Sequence, residues 1–220
     1  KEAEQAFRNV GREDSAYQYA RAQFHLGNLL DDFKRYEEAE QAYRNVLRED
    51  GAELYARTQF NLGILLNQQE QFEEVEQAYN NIKREDSVKL YAQAQFNLGN
   101  LYKQLEHFAE AEQAYTNIKR EDSAESYARA QFNLGNLYKQ LDRFTEAEQA
   151  YANIKREDSA HQYARAQFIL GILYKQLERF AEAEQAYTNI KREDSAYQYA
   201  RAQNNLGNLL KQQNRLKEAE

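Results

Sequence analysis

The sequence has no cysteine, proline, methionine or tryptophan, only eight glycines in 220 residues, and no apolar run of membrane-spanning length. The lack of cysteine excludes a disulfide scaffold, a thiolate metal site and a cysteine nucleophile, and leaves the compartment open. Without a long apolar run no membrane-spanning helix is expected, and no charged-then-apolar leader is visible, so the chain is expected to be soluble and cytoplasmic. Cations are the minority: 29 Lys and Arg stand against 36 Asp and Glu, a net charge of -7 that argues against a generally basic nucleic-acid binder. Catalytic signatures are also missing. There is no glycine-rich phosphate loop, no His-Glu-x-x-His string and no specific Ser-His-Asp order. The only histidines, His25, His107 and His161, fall at three different positions of the internal repeat and cannot form a repeated ligand set. No catalytic residue, metal site or cofactor is expected, and the chain reads as a non-enzyme.

What the sequence does have is apolar content and a period. At 42% hydrophobic residues, with 17 Tyr and 11 Phe, it can bury a core and is not disordered. Glu-Ala-Glu-Gln-Ala-Phe at Glu2 to Phe7 returns as a near copy beginning at Glu38, Glu74, Glu110, Glu146 and Glu182, and Leu-Gly recurs from Leu26-Gly27 to Leu206-Gly207, always 36 residues apart. No insertion or linker interrupts the series. Residues 1–220 are therefore read as one repeat array, with five full units over 20–199 and partial units at 1–19 and 200–220.

One unit shows the local logic. Asp122-Ser123 offers an N-cap, after which Tyr127, Ala130, Leu134, Leu137 and Leu141 follow at spacings of 3 and 4, the signature of one buried helical face. A turn around residues 140–143 leads to a second, shorter stripe of Phe144, Ala147, Tyr151 and Ile154. Lys155-Arg156-Glu157-Asp158-Ser159 reads as a polar connection ending in the next cap. Glycine in a helix interior costs about 1 kcal/mol relative to alanine, so the recurrence of Gly135 and its equivalents demands a packing reason, and close helix approach is the expected one. A lone hairpin cannot enclose its apolar stripe, whereas stacked hairpins build a continuous core. The fold class is all-α, an α-solenoid of stacked antiparallel helical hairpins.

Acidic pairs such as Glu146 and Glu148 recur in nearly every copy and read as a solvated face, since an acid-base pair needs one member desolvated. More informative is a second stripe on the first helix. At 100° per residue Phe132 lies about 160° from Leu134, which turns it away from the core face. Phe24, Phe60, Phe96, Phe132 and Phe168 share this position, flanked by Arg21, Arg57, Arg129, Arg165 and Arg201, by Asn28, Asn100, Asn136 and Asn208, with Ile64 and Ile172 as apolar variants, and by Lys103, Lys139, Lys175 and Lys211. Covering the small Gly and Ala of the adjacent copy is the alternative role of these phenylalanines. Acids concentrate in the second helix and the connection, so the stripe is expected to be locally positive.

Leu134-Gly135 to Tyr138, followed by Ala147 and Tyr151, resembles the tetratricopeptide repeat, and the resemblance covers essentially the whole chain. The period of 36 exceeds that family's usual 34, Gln131 and Phe132 stand where its early tryptophan belongs, and Ser159 replaces its closing proline. The resemblance implies a right-handed superhelix whose first helices line a concave groove. It also implies that asparagine ladders and basic residues there clamp extended peptides. The candidate peptide-binding set is Arg57, Phe60, Asn61, Phe96, Asn97, Asn100, Lys103, Arg129, Phe132, Asn133, Asn136, Lys139, Arg165, Phe168 and Lys175. The expected partner is a protein or peptide, acidic or ending in a carboxylate. Single-stranded RNA on the same groove is the rival, opposed by about two cations per copy and by acidic connections that repel a phosphate backbone. A structural spacer that stacks head-to-tail is a further alternative. Lys1 to Glu4 and Lys217 to Glu220 are identical, and the sequence leads to the expectation of weak end-to-end association that seats Ala6, Phe7 and Val10 on the helix carrying Leu206 and Leu209.

Overall fold

Serine caps start the long helices. In the computed structural model, which describes residues 1–213, the Ser123 hydroxyl accepts a hydrogen bond from the Ser126 amide and opens a 17-residue helix. Ser15, Ser87, Ser159 and Ser195 do the same, while Gly51, preceded by a single 3-10 turn over Arg48–Asp50, leaves its helix without a side-chain cap. The chain forms two compact units, Lys1–Leu105 and Glu106–Glu220. Twelve α-helices lie among the described residues. The first unit holds α1 (Glu2–Arg8), α2 (Ala16–Asp32), α3 (Tyr36–Arg44), α4 (Ala52–Gln68), α5 (Phe72–Asn80) and α6 (Val88–Gln104). The second holds α7 (Phe108–Thr116), α8 (Ala124–Gln140), α9 (Phe144–Ala152), α10 (Ala160–Gln176), α11 (Phe180–Thr188) and α12 (Ala196–Gln212).

Long and short helices alternate. In each unit a long helix packs against the short one that follows it, as α2 on α3 and α8 on α9, and also against the next long helix, as α2 on α4 and α10 on α12. Each short helix packs in turn on the following long one, so the hairpins stack as an α-solenoid. The turn inside each hairpin is made by Lys34, Glu70, Glu106, Asp142 and Glu178, all left-handed with φ of 57–59°, and the next amide reaches back to the helix, as Arg143 N to Tyr138 O at 2.8 Å. The short helix ends before the apolar stripe does. Ile154, expected on it, lies two residues past α9 and is still buried, because the turn after Asn153 folds it under the hairpin.

The core repeats with the period. One cluster joins Ala128 and Phe132 of α8, Ala147 and Tyr151 of α9, Ile154, and Ala166 and Leu170 of α10; the next is built in the same way from α10, α11 and α12. Glycine is what allows the hairpin to close. A Cβ on Gly27, Gly63, Gly135 or Gly171 would stand 2.4–2.5 Å from the ring of Tyr43, Tyr79, Tyr151 or Tyr187, the tyrosine of the short helix that follows. The close approach expected for glycine is thus between the two helices of one hairpin.

Candidate functional site

The phenylalanine stripe is not a solvent-facing ladder. Phe96, Phe132 and Phe168 are only 3–8% exposed and Phe60 is half-buried, against the expectation that they face away from the core. The physical reason is the number of neighbours. A long helix within the stack meets a long helix on each side as well as its own short partner, so a residue turned away from Leu134 still meets protein. The Phe132 ring lies 5.7 Å from the Tyr151 ring, and the Arg165 guanidinium of the next copy covers it at 4.0 Å. Arg201 covers Phe168 in the same way at 4.1 Å. Arg165 is accordingly half-buried, whereas Arg57 is exposed and pairs with Glu53 at 3.2 Å and Arg129 is exposed.

The amides along this face are already engaged, and apart from Asn100 they are half-buried. Asn28 Oδ1 accepts from the Tyr43 hydroxyl at 2.7 Å and from Asn61 Nδ2 at 2.9 Å, and Asn136 Oδ1 accepts from the Tyr151 hydroxyl at 2.8 Å. Asn97 and Asn133 donate instead to the hydroxyl oxygens of Tyr79 and Tyr115, at 3.1 and 3.3 Å. Burial pushes all these phenols up, Tyr115 to about 12, so they stay protonated and available as donors. Asn100 is exposed, and Lys103, Lys139 and Lys175 are half-buried in the last turns of their helices.

Open space remains between successive long helices. In the first unit a cleft of about 390 Å³ between α4 and α6 is lined by Ile64, Asn67, Tyr79, Asn97 and Asn100. In the second a cleft of about 350 Å³ between α10 and α12 is lined by Ile172, Lys175, Gln176, Tyr187 and Asn205. Ile64, Asn67, Tyr79 and Asn97 occupy the same repeat positions as Ile172, Lys175, Tyr187 and Asn205, each three periods earlier. A third opening of about 680 Å³ joins Tyr17, Arg21, Phe24, His25 and Arg57 between α2 and α4. His25 there stacks on Phe7, ring centroids 5.7 Å apart. The row is not evenly positive, as the charge count suggested. At the position of Lys103, Lys139 and Lys175 the first copies carry Asp31 and Asn67, and burial together with neighbouring Asp32 raises the Asp31 carboxyl.

Two sets of polar residues, one in the connections and one among the glutamates read as a solvated face, are ties between copies. Arg12, Arg48, Arg120 and Arg156 reach into the next connection, to Asp50, Asp86, Asp158 and Asp194, whose side chains are 1–3% exposed, at 2.6–3.1 Å. Each of these arginines also covers a tyrosine ring, as Arg156 does Tyr163 at 4.8 Å. Several glutamates of the supposed surface pairs are held as well: Glu148 accepts from Arg179 at 2.7 Å and from the Tyr174 hydroxyl at 3.0 Å, Glu112 from Arg143 and Tyr138, and Glu146 and Glu182 from the same two arginines. The guanidiniums keep the Glu112 and Glu148 carboxyls below the usual range, while burial pushes Tyr138 and Tyr174 up to about 12. Gln131, in the tryptophan position, is buried and accepts from Asn153 Nδ2 at 3.1 Å. The constant sequence separation between unlike partners, Arg to Asp and Glu to Tyr, was the available signal. The second copy of the repeated tetrapeptide, residues 217–220, on which the expected end-to-end association drew, lies outside the described residues.

Among the described residues no group of three His, Asp or Glu side chains converges, and no helix is long and apolar enough to cross a membrane. No curated protein matches the chain in sequence. Solved structures match its fold: a tetratricopeptide repeat protein from Parabacteroides merdae (20% identity, TM-score 0.59, covering 92% of this chain and 76% of that one), pilF of Pseudomonas aeruginosa (17%, 0.60, 93% and 89%) and BtubC from P. vanneervenii (19%, 0.56, 91% and 86%). At these identities the likeness concerns the fold alone. The sequence profile of the tetratricopeptide repeat matches residues 1–53, 27–89, 96–162 and 168–220, nearly the whole length. Proteins of this family generally serve as non-enzymatic scaffolds for protein-protein interaction. With long and short helices alternating at a 36-residue period, a glycine closing each hairpin on its tyrosine, and that profile running through both units, the chain belongs to the tetratricopeptide repeat family.

Proposed function

We propose that the row of long helices binds an extended peptide segment of a partner protein, with a preference for acidic sequence where the row carries lysine. One observation carries this reading: the cleft between successive long helices recurs at equivalent repeat positions in the two units, with an isoleucine wall, a tyrosine-asparagine floor and a polar rim. Volumes of about 350–390 Å³ fall in the range that small binding sites occupy. Ile64, Asn67, Asn97, Asn100, Lys103, Lys139 and Lys175 contact the peptide, whereas Phe96, Phe132 and Phe168 shape the row from beneath. The uninterrupted period supports treating residues 1–220 as one array.

The test is a peptide-pool screen of the full chain, run beside a single-stranded RNA pool at two salt concentrations. Acidic peptides should be retained. Lys103→Glu, Lys139→Glu and Lys175→Glu together should reverse that preference, weakening acidic peptides by about tenfold, the size of a few rim charges at low salt. Retention of RNA with no peptide bound would replace this reading by the nucleic-acid one.

A further inference from the structure

We propose that the Ile64 and Ile172 clefts are sockets for a peptide residue that presents a hydrogen-bond acceptor beside an aliphatic group, and that the copies built around Asn28 and Asn136 are closed to it. The proposal rests on the peptide-binding reading above and names which part of the row selects the ligand. In the closed copies the asparagine oxygen takes the tyrosine proton: Tyr43 donates to Asn28 at 2.7 Å and Tyr151 to Asn136 at 2.8 Å. Isoleucine at the same position cannot accept. Tyr79 and Tyr187 are 3% and 0% exposed. Each keeps one hydrogen bond, received from Asn97 Nδ2 at 3.1 Å or from Asn205 Nδ2 at 3.3 Å. In that bond the tyrosine oxygen is the acceptor, so its own proton has no acceptor among the described residues. Turning the amide gives no relief. The hydroxyl would then donate to the amide oxygen, and the NH2 group would lose its acceptor instead. Either way the tyrosine-asparagine pair presents to the cleft a donor with no protein acceptor among the described residues, which an incoming acceptor can take.

The walls specify the rest of the ligand. Ile64 is 38% exposed and, like Ile172, lines its cleft beside the tyrosine, which favours an aliphatic side chain adjacent to the accepting oxygen. The rims differ by one residue. Lys175 borders the second socket and has no acidic partner among the described residues, so the acceptor there is a carboxylate. Asn67 holds the same place in the first, where a neutral amide carbonyl suffices.

The test uses the full chain with labelled isoleucine δ1-methyl groups and two probes, N-acetyl-leucine and N-acetyl-leucinamide. Both probes should shift the Ile64 methyl, the carboxylate probe should shift the Ile172 methyl preferentially, and the methyls of buried Ile82, Ile118, Ile154 and Ile190 should stay in place. Tyr79→Phe and Tyr187→Phe keep the ring that packs on Gly63 and Gly171 and remove only the hydroxyl, and each should weaken the probe in its own socket by about three- to tenfold. Unchanged probe affinity in these variants, or shifts spread over the core methyls, would overturn the proposal. Ile64→Asn with Ile172→Asn installs the asparagine of the sister copies and should cost the retained peptides most of their affinity. Peptides bound as tightly by this double variant as by the parent would sink the sockets while leaving the row as a peptide site. An absence of any bound peptide or probe would sink both.

Discussion

Gly135 and Tyr151 are a single packing decision spread over two residues. A Cβ at Gly135 would lie 2.5 Å from the Tyr151 ring, a buried group that cannot swing away. Alanine is the better helix former by about 1 kcal/mol, yet overpacking of this kind costs about 1–3 kcal/mol. Gly135→Ala should therefore lower the urea midpoint. The left-handed turn residues have the opposite logic. Asp142 and Glu178 sit at φ 57–58°, where a Cβ is unfavourable and glycine is at ease, so Asp142→Gly should stabilise by about 0.5–1 kcal/mol, read from the same denaturation curves. At this scale the sequence was half legible. The recurrence of glycine inside a helix announced a close approach, but its partner lies on the next helix and depends on the turn angle. The exchange of Asn28 and Asn136 for Ile64 and Ile172 was visible in the repeat, but that this position meets the tyrosine hydroxyl of the following short helix was not.

Between elements, the energetics turn on arginines that reach from one copy to the next. The polar run Lys155 to Ser159 was legible as a connection because its composition is that of a solvated loop. Illegible was that Arg156 leaves it to meet Asp194 at 3.0 Å and the Asn189 carbonyl at 2.6 Å. Asp194 also accepts from the Lys191 amide, so Asp194→Ala strips the turn and the tie together. The expected cost is about 2–4 kcal/mol, below that of a fully buried pair because Arg156 keeps some water, and thermal unfolding would measure it. The Glu148-Arg179 tie makes a pH prediction. Its carboxyl is held below the ordinary 4.5, chiefly by the Arg179 hydrogen bond, so the folded state binds its proton less tightly than the unfolded state. Its stabilising contribution is complete above the ordinary glutamate range and is lost as pH falls below 4.5 through the depressed value. In Arg179→Gln a carboxyl-carbon titration should find Glu148 moved upward, and acid unfolding should begin at higher pH. A Glu148 titration unchanged by the substitution would contradict the tie.

For the whole molecule, the helical period and the hairpin were readable from spacing alone, because one short-range rule is written out again in every copy. The facing of the phenylalanines was misread for the converse reason: a helical wheel describes one helix, and burial in a stack is set by three neighbours. That same neighbour count governs stability. The cluster around Tyr151 draws on α8, α9, α10 and Ala186 of α11, and the one around Tyr187 on α10, α11 and α12, so each interface involves only neighbouring copies and the total is a sum of hairpin and interface contributions. Leu134, 3% exposed on α8, should cost about 2–5 kcal/mol when changed to alanine. The loss should fall on its own and adjoining copies, visible as hydrogen exchange that accelerates in α8 to α10 before α12. Versions shortened copy by copy should unfold at successively lower urea concentration with a smaller slope, since less surface is exposed each time. A midpoint that stays fixed as copies are removed would mean that the hairpins are independently stable and that the arginine and tyrosine contacts between them contribute nothing to holding the array together.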